Sequence, residues 1–345
     1  MNGTKLAGAA FLCTALLLTG CTKNDEVMNN GAAAETADGE TGIEQALLET
    51  APFTGVPGES YPMRPILATV NNHPLARPQS GLSKADIIYE VLAEGNITRL
   101  LALYQSGLPD EIGPIRSARD YFIDIAAGLD AFYIAHGYSP DAREMLADHA
   151  VDSVNGMQYD GTYFERSRDR KAPHNSYISK AHIEDAMTDL HIEETIRKVP
   201  HLSFHPDAES AKLGELATTV VVGSADPNFT STYAFDADKR VYTREVNGIL
   251  TVDKADETHV TPANVLVVEA PYETIDSEGR QSLDLSKGGR AVLFQNGIAL
   301  DTEWKMIDGI ITPVENGVPA KFVPGQTWVH IVPEQSIGQS VTYTP

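Results

Sequence analysis

Ile66-Leu67-Ala68-Thr69-Val70 is a short, almost unbroken apolar run and predicts a buried strand. Similar runs over Asp86 to Leu92, Arg99 to Tyr104 and Ala131 to His136 predict three more. Helical spacing covers Arg116 to Gly128, Ser139 to about Asp148, and Ser179 to about Lys198, the last stopping before Pro200. In the second helix Ser139 suits the N-cap, Pro140 the first turn, and Asp141 the positive helix end. Strands alternating with helices in this way predict an α/β layered structure.

The rest of the chain is patterned differently. Asn247-Gly248, Asn296-Gly297 and Asn316-Gly317 are hairpin signals. They stand among strand-like runs over Arg240 to Val246, Arg290 to Gln295, Ile298 to Lys305 and Thr327 to Val332. Thr218 to Gly223 and Val265 to Ala270 add two further strands. The predicted fold class is therefore α+β: an N-terminal α/β-type layered domain over 51–207, then a mostly β C-terminal domain over 215–345. No internal repeat is evident.

Residues 1–20 read as a lipoprotein signal peptide. Lys5 precedes an apolar run from Leu6 to Leu18, about as long as a signal core and too short to span a membrane. Leu18-Thr19-Gly20-Cys21 resembles a lipobox, with lipid attachment expected on the Cys21 thiol. An ordinary signal peptide is the alternative, but the cysteine falls where cleavage is expected. Residues 21–50 have no aromatic side chain and several acids, the composition of a flexible tether reaching roughly 30 Å as a relaxed coil. The expected location is the extracytoplasmic face of the cell membrane, held by two or three acyl chains such as palmitate.

Composition narrows the chemistry. The two cysteines, Cys13 and Cys21, are lost with the signal or acylated, which leaves neither a disulfide nor a thiol nucleophile. A formal net charge of -22 argues against nucleic acid and against lying flat on an anionic membrane. Local basic clusters therefore stand out. Gly113-Pro114-Ile115-Arg116-Ser117-Ala118-Arg119 predicts a turn into a helix with Arg116 and Arg119 on one face, an arrangement suited to a carboxylate or phosphate. Pairing with Asp110, Glu111 or Asp120 is the plainer alternative. Arg166-Ser167-Arg168-Asp169-Arg170-Lys171 leads into Ala172-Pro173-His174-Asn175-Ser176-Tyr177, either a functional loop or a solvated basic one. His73 and Arg77 lie in a Pro-bounded loop after the first strand, and His136-Gly137-Tyr138 ends the fourth. Both loops meet where ligands bind in open sheets if those strands run parallel.

These residues also carry a resemblance. Asn72-His73, Arg77-Pro78-Gln79-Ser80-Gly81-Leu82, Thr98-Arg99, Gly113 to Arg119 and Ala172 to Asn175 resemble the YerB-like lipoproteins. Gly288-Gly289-Arg290-Ala291, Trp304-Lys305 and Pro324-Gly325-Gln326-Thr327-Trp328-Val329 extend the likeness to the C-terminal half. The resemblance implies an envelope lipoprotein with separate N- and C-terminal domains and implies no reaction.

Gly-x-Ser-x-Gly, Ser-x-x-Lys, His-Glu-x-x-His and P-loop signatures do not occur. His201 and His205 have metal-like spacing only on a helix, and Pro200 and Pro206 bracket them, so no metal and no cofactor are expected. The leading expectation is a non-catalytic binding or scaffold protein. Its anion site would draw on His73, Arg77, Arg116, Arg119, Arg166, Arg168, Arg170, His174 and Asn175. The expected partner is a cell-wall polymer or an envelope protein. One alternative is a glycan or phosphodiester hydrolase using His174 or His136 with the arginines. Another is a transporter-type substrate-binding lipoprotein with two matched lobes.

Overall fold

Ile66–Asn71 (β1) is buried at every position, as a strand covered on both faces must be, in a computed structural model that describes residues 49–58 and 60–345. The expected signal peptide, Cys21 and nearly all of the tether lie outside those residues. Ile87–Glu94 (β2) and Ile97–Tyr104 (β3) form a hairpin, with β3 antiparallel to β1. Glu111–Ile112 (β4), Asp120–Gly128 (α1), Phe132–Ala135 (β5) and Pro140–Ala147 (α2) follow. Next come Ser153–Asn155 (β6) and the single turn Gly156–Tyr159 (α3). β5 is parallel to β1 and β6 to β5. The loops carrying His73 and His136 therefore leave the same edge. Ser176–Ser179 (β8) pairs with both Phe164–Arg166 (β7) and β4, and Lys180–Asp189 (α4) closes this half.

The rear half begins with Glu215–Leu216 (β9), Thr219–Val222 (β10), Ser231–Asp236 (β11), Val241–Val246 (β12) and Ile249–Leu250 (β13). The last four join the final strand, Val341–Thr344, in a five-stranded sheet. Asn264–Ala270 (β14) leads to a short hairpin, Tyr272–Thr274 (β15) with Gln281–Leu283 (β16). A meander follows: Gly289–Gln295 (β17), Ile298–Ile307 (β18), Ile310–Glu315 (β19) and Val318–Pro319 (β20). Thr327–Pro333 (β21) then inserts between β14 and β2, parallel to both. One twelve-stranded sheet thus runs through both halves, in the order β20-β19-β18-β17-β14-β21-β2-β3-β1-β5-β6 with β9 on β18. The fold is α+β with a sheet-rich rear.

Strand alternation sorts the core. Ile88, Leu100 and Ala102 pack with Val220, Tyr233 and Tyr242 beneath the five-stranded sheet. Leu67, Tyr89, Leu101 and Leu103 face Tyr121, Phe122 and Ile125 of α1. Each large side chain covered in this way contributes about 1.5–3 kcal/mol.

All three Asn-Gly pairs turn hairpins, with asparagine φ values of 52, 50 and 51° and glycine values of 72, 71 and 82°. A fourth turn, Asp308-Gly309, has the same geometry and joins β18 to β19. Two helices are shorter than expected. α1 starts at Asp120 rather than Arg116, because Ile115 bridges Val70 and Ala118 bridges Tyr138 in extended conformation. α4 stops at Asp189 rather than Lys198, because residues 194–196 dock in extended form against Pro62 to Arg64. α2 is as expected, and the Ser139 hydroxyl accepts the Ala142 N–H.

Candidate functional site

The chain from Pro114 to Arg116 runs between the end of β1 and the loops after β5 and before β8. Asn71 N donates to Pro114 O, Arg116 N to Thr69 O, Ile115 N to Ser176 O, and His136 N to Arg116 O. These four backbone bonds bring Arg116, His136 and the His174 loop to the carboxyl ends of β1 and β5. Gly156 supplies the space: a Cβ there would lie 2.0 Å from His136 Nδ1. Asn155 holds the adjoining turn, accepting from Gly137 N and donating to Gly137 O.

Three histidines gather here, and their partners fix their tautomers. His73 Nδ1 accepts the Leu75 backbone N–H at 3.2 Å, so its proton is on Nε2. Asn71 Oδ1 accepts from His73 N, which leaves its amide to donate to His174 Nδ1 at 2.9 Å; His174 is therefore also an Nε2–H donor. The His73 and His174 rings stack, with centroids 4.7 Å apart. Arg166 donates to His136 Nε2 at 2.8 Å, so His136 carries its proton on Nδ1 and directs it to Ser176 Oγ, also at 2.8 Å. Burial lowers the His136 pKa, and Arg166 and Arg116 lower it further against the pull of Asp160. Burial, His73, Arg116 and Arg170 lower His174.

Arg116 is half-buried beside these imidazoles and has no carboxylate or hydrogen-bond partner for its side chain among the described residues. Burial, with the Arg99 charge adding to it, lowers its pKa to about 10. Arg166 is anchored to Asp160 through Nε and Nη2 and reaches Asn175 Oδ1 at 3.3 Å. The site thus presents a guanidinium and two imidazole N–H donors with no carboxylate among them. A cleft of about 460 Å³ shares Tyr138 and Asn155 with the adjoining turn, but Arg143, Leu146, Asp152 and Ile192 complete its wall and none of Arg116, His73, His136 or His174 lines it.

Other expected site residues lie elsewhere. Arg119 is extended at the N-cap of α1, and its buried guanidinium pairs with Glu94, which also binds Arg99 at 2.5 Å. It does not share a helix face with Arg116, and its acid is none of the three expected. Arg77 donates to Asn72 O and Asn228 O at 2.7 and 2.8 Å. Arg170 ties its loop to Ala76 O, Pro78 O and the Tyr177 hydroxyl. Arg168 is exposed. His201 meets Asp308 at 2.5 Å rather than His205.

Sequence reasoning gave no role to Asn71 or Gly156, which place the histidines, and it placed Ser176 beside His174 rather than opposite His136. Asn71 directly follows the expected first strand, but its role depends on a residue 103 positions away. It also missed a buried network between the sheets. Glu90 accepts from Asn72, Thr98, Arg244 and Trp328. Burial alone would raise its carboxyl, but Arg244, His330 and Thr98 hold it below the usual range. Arg244 stacks over Trp328 at 4.0 Å, and His330 bonds the Tyr233 hydroxyl at 2.7 Å.

Residues 53–193 match the N-terminal domain, and residues 220–329 the C-terminal domain, of a family described as a protein of unknown function (DUF3048). The putative lipoprotein YerB of Bacillus subtilis (strain 168) is 42% identical over 288 residues, covering 82% of this chain and 86% of that protein. The crystal structure of YerB protein from Bacillus subtilis matches with a TM-score of 0.79 at 40% identity, covering 86% of this chain and 99% of that one.

Proposed function

The chain belongs to the DUF3048 family, and from that premise we propose an envelope lipoprotein, anchored through Cys21 on the extracytoplasmic face, that binds an anionic group of an envelope polymer. The anchor reading rests on Leu18-Thr19-Gly20-Cys21 and on a relative named as a putative lipoprotein. No helix among the described residues is long and apolar enough to cross a membrane.

The observation that carries the binding reading is the donor set: Arg116 without a carboxylate, beside two imidazoles that both carry their proton on Nε2. A carboxylate or phosphate oxygen satisfies those donors together, and the guanidinium fork supplies directionality.

The same geometry weakens the hydrolase alternative. A general base needs a free lone pair, yet Arg166 occupies that of His136 and Asn71 that of His174. A transporter-type protein with two matched lobes gains no support from a single sheet running through both halves.

Retention of the purified protein on isolated cell wall tests the assignment. Arg116→Ala should abolish retention and Arg168→Ala should not. Unchanged retention of the Arg116 variant, with its fold intact by circular dichroism, would show that the site is misassigned.

A further inference from the structure

Arg77 takes no part in the histidine site, although its loop also carries His73. It points the other way, toward the five-stranded sheet, where it lies 5.5 Å over the Phe229 ring. All three of its hydrogen-bond partners are neutral: Asn72 O, Asn72 Oδ1 and Asn228 O. Burial lowers its pKa to about 10, the neighbouring Arg244 adds to that effect, and Glu90 and Asp226 pull against it.

Beside it lies a cavity of about 230 Å³. Pro74 and Pro78 form one wall, and Val246, Ile249 and Leu250 of the β12–β13 hairpin form the other. Ile249 is 73% exposed, so its side chain is open to a ligand entering between the hairpin and the prolines. Arg77 and Arg244 both reach the lining. Arg244 is 2% exposed and is held by Thr251, Glu90 and Ser231 through Nη1 and Nη2, so its charge is spent inside the fold and Arg77 is left as the cation open to the cavity.

We propose that this cavity is a second binding site, separate from the histidine cluster, for a small carboxylate carrying a short apolar chain. The carboxylate would pair with Arg77, and the chain would lie between the prolines and the hairpin. Size sets the limit: a dry cavity of about 150 Å³ accepts a benzene ring, so this one suits a chain of about six to eight carbons.

Octanoate is the test ligand, with 1-octanol as its uncharged counterpart. Binding to the folded chain is followed by calorimetry and by the methyl resonances of Ile249 and Leu250. Octanoate should shift both methyls and bind at least about tenfold more tightly than octanol, the margin of one good charge-assisted contact. Arg77→Gln should remove that margin, and Ile249→Asp, an exposed change that spares the core, should weaken both ligands. Arg116→Gln should leave octanoate binding unchanged, which separates this site from the first. Unmoved methyls, equal affinities for acid and alcohol, or loss of binding in the Arg116 variant would each overturn the proposal.

Discussion

Arg116 keeps its charge half-buried with no counter-charge, whereas Arg99 and Arg119 pair with Glu94 and Arg244 pairs with Glu90. Structural arginines are ordinarily paired, because an unpaired charge away from water is penalised. A residue kept for stability and one kept for binding therefore respond oppositely to truncation. Arg116→Met retains the aliphatic stem and removes both the desolvation cost and the repulsion from Arg99. It should raise the urea midpoint, by on the order of 1 kcal/mol of stability, while lowering affinity for sulfate measured by calorimetry. Destabilisation would mean that Arg116 is a structural group after all. The chemistry of this position was legible from its basic setting in an acidic chain. Its lack of a carboxylate was not, since Asp110, Glu111 and Asp120 are all close in sequence.

Elements were legible where local chemistry decides them and obscure where tertiary bonds do. Asn-Gly turns and the Ser139-Pro140 start of α2 need only neighbouring residues, and both read correctly. Ile115, Ala118 and Phe122 have helical spacing, but β1 and Tyr138 bind the first two in extended form, so α1 begins late. Strand directions also lay beyond the pattern; the parallel pairing of β1 with β5 makes two separate loops into one site. The short turn α3 belongs to that site through Gly156. Its Cβ position lies 2.0 Å from His136 Nδ1 and has no room to retreat while Asn155 holds the turn. Gly156→Ala should therefore displace His136 from Ser176 and Arg166. The expected cost is about 1–3 kcal/mol, together with loss of the slowly exchanging His136 Nδ1–H signal in NMR spectra. An unshifted His136 resonance in the variant would count against this packing.

At the scale of the whole molecule, Glu90 joins the halves. Its partners Asn72 and Thr98 come from the front, and Arg244 and Trp328 from the rear, up to 238 residues away. No local pattern reveals such a group; in sequence Glu90 is one acid among 48. The insertion of β21 between β14 and β2 surrounds it with the main sheet on one side and the five-stranded sheet on the other. Removing its charge by Glu90→Gln strands Arg244 and should cost about 3–5 kcal/mol. Acid reaches the same network through His330, which burial lowers to about 4 although Glu90 favours its protonation. The unfolded chain takes up that proton near pH 6.5 and the folded chain only near 4. Between those values the unfolded state binds more protons, so stability is lost as the pH falls through this window, by roughly 3 kcal/mol from this group. Glu90, held below the usual carboxylate range, adds its loss at lower pH still. Urea unfolding at pH 7, 5.5 and 4 should show this slope in the wild type and a shallower one in His330→Gln. Because the network spans both halves, the loss should appear in a single cooperative transition. Parallel slopes for the two proteins would mean that His330 does not couple the sheets.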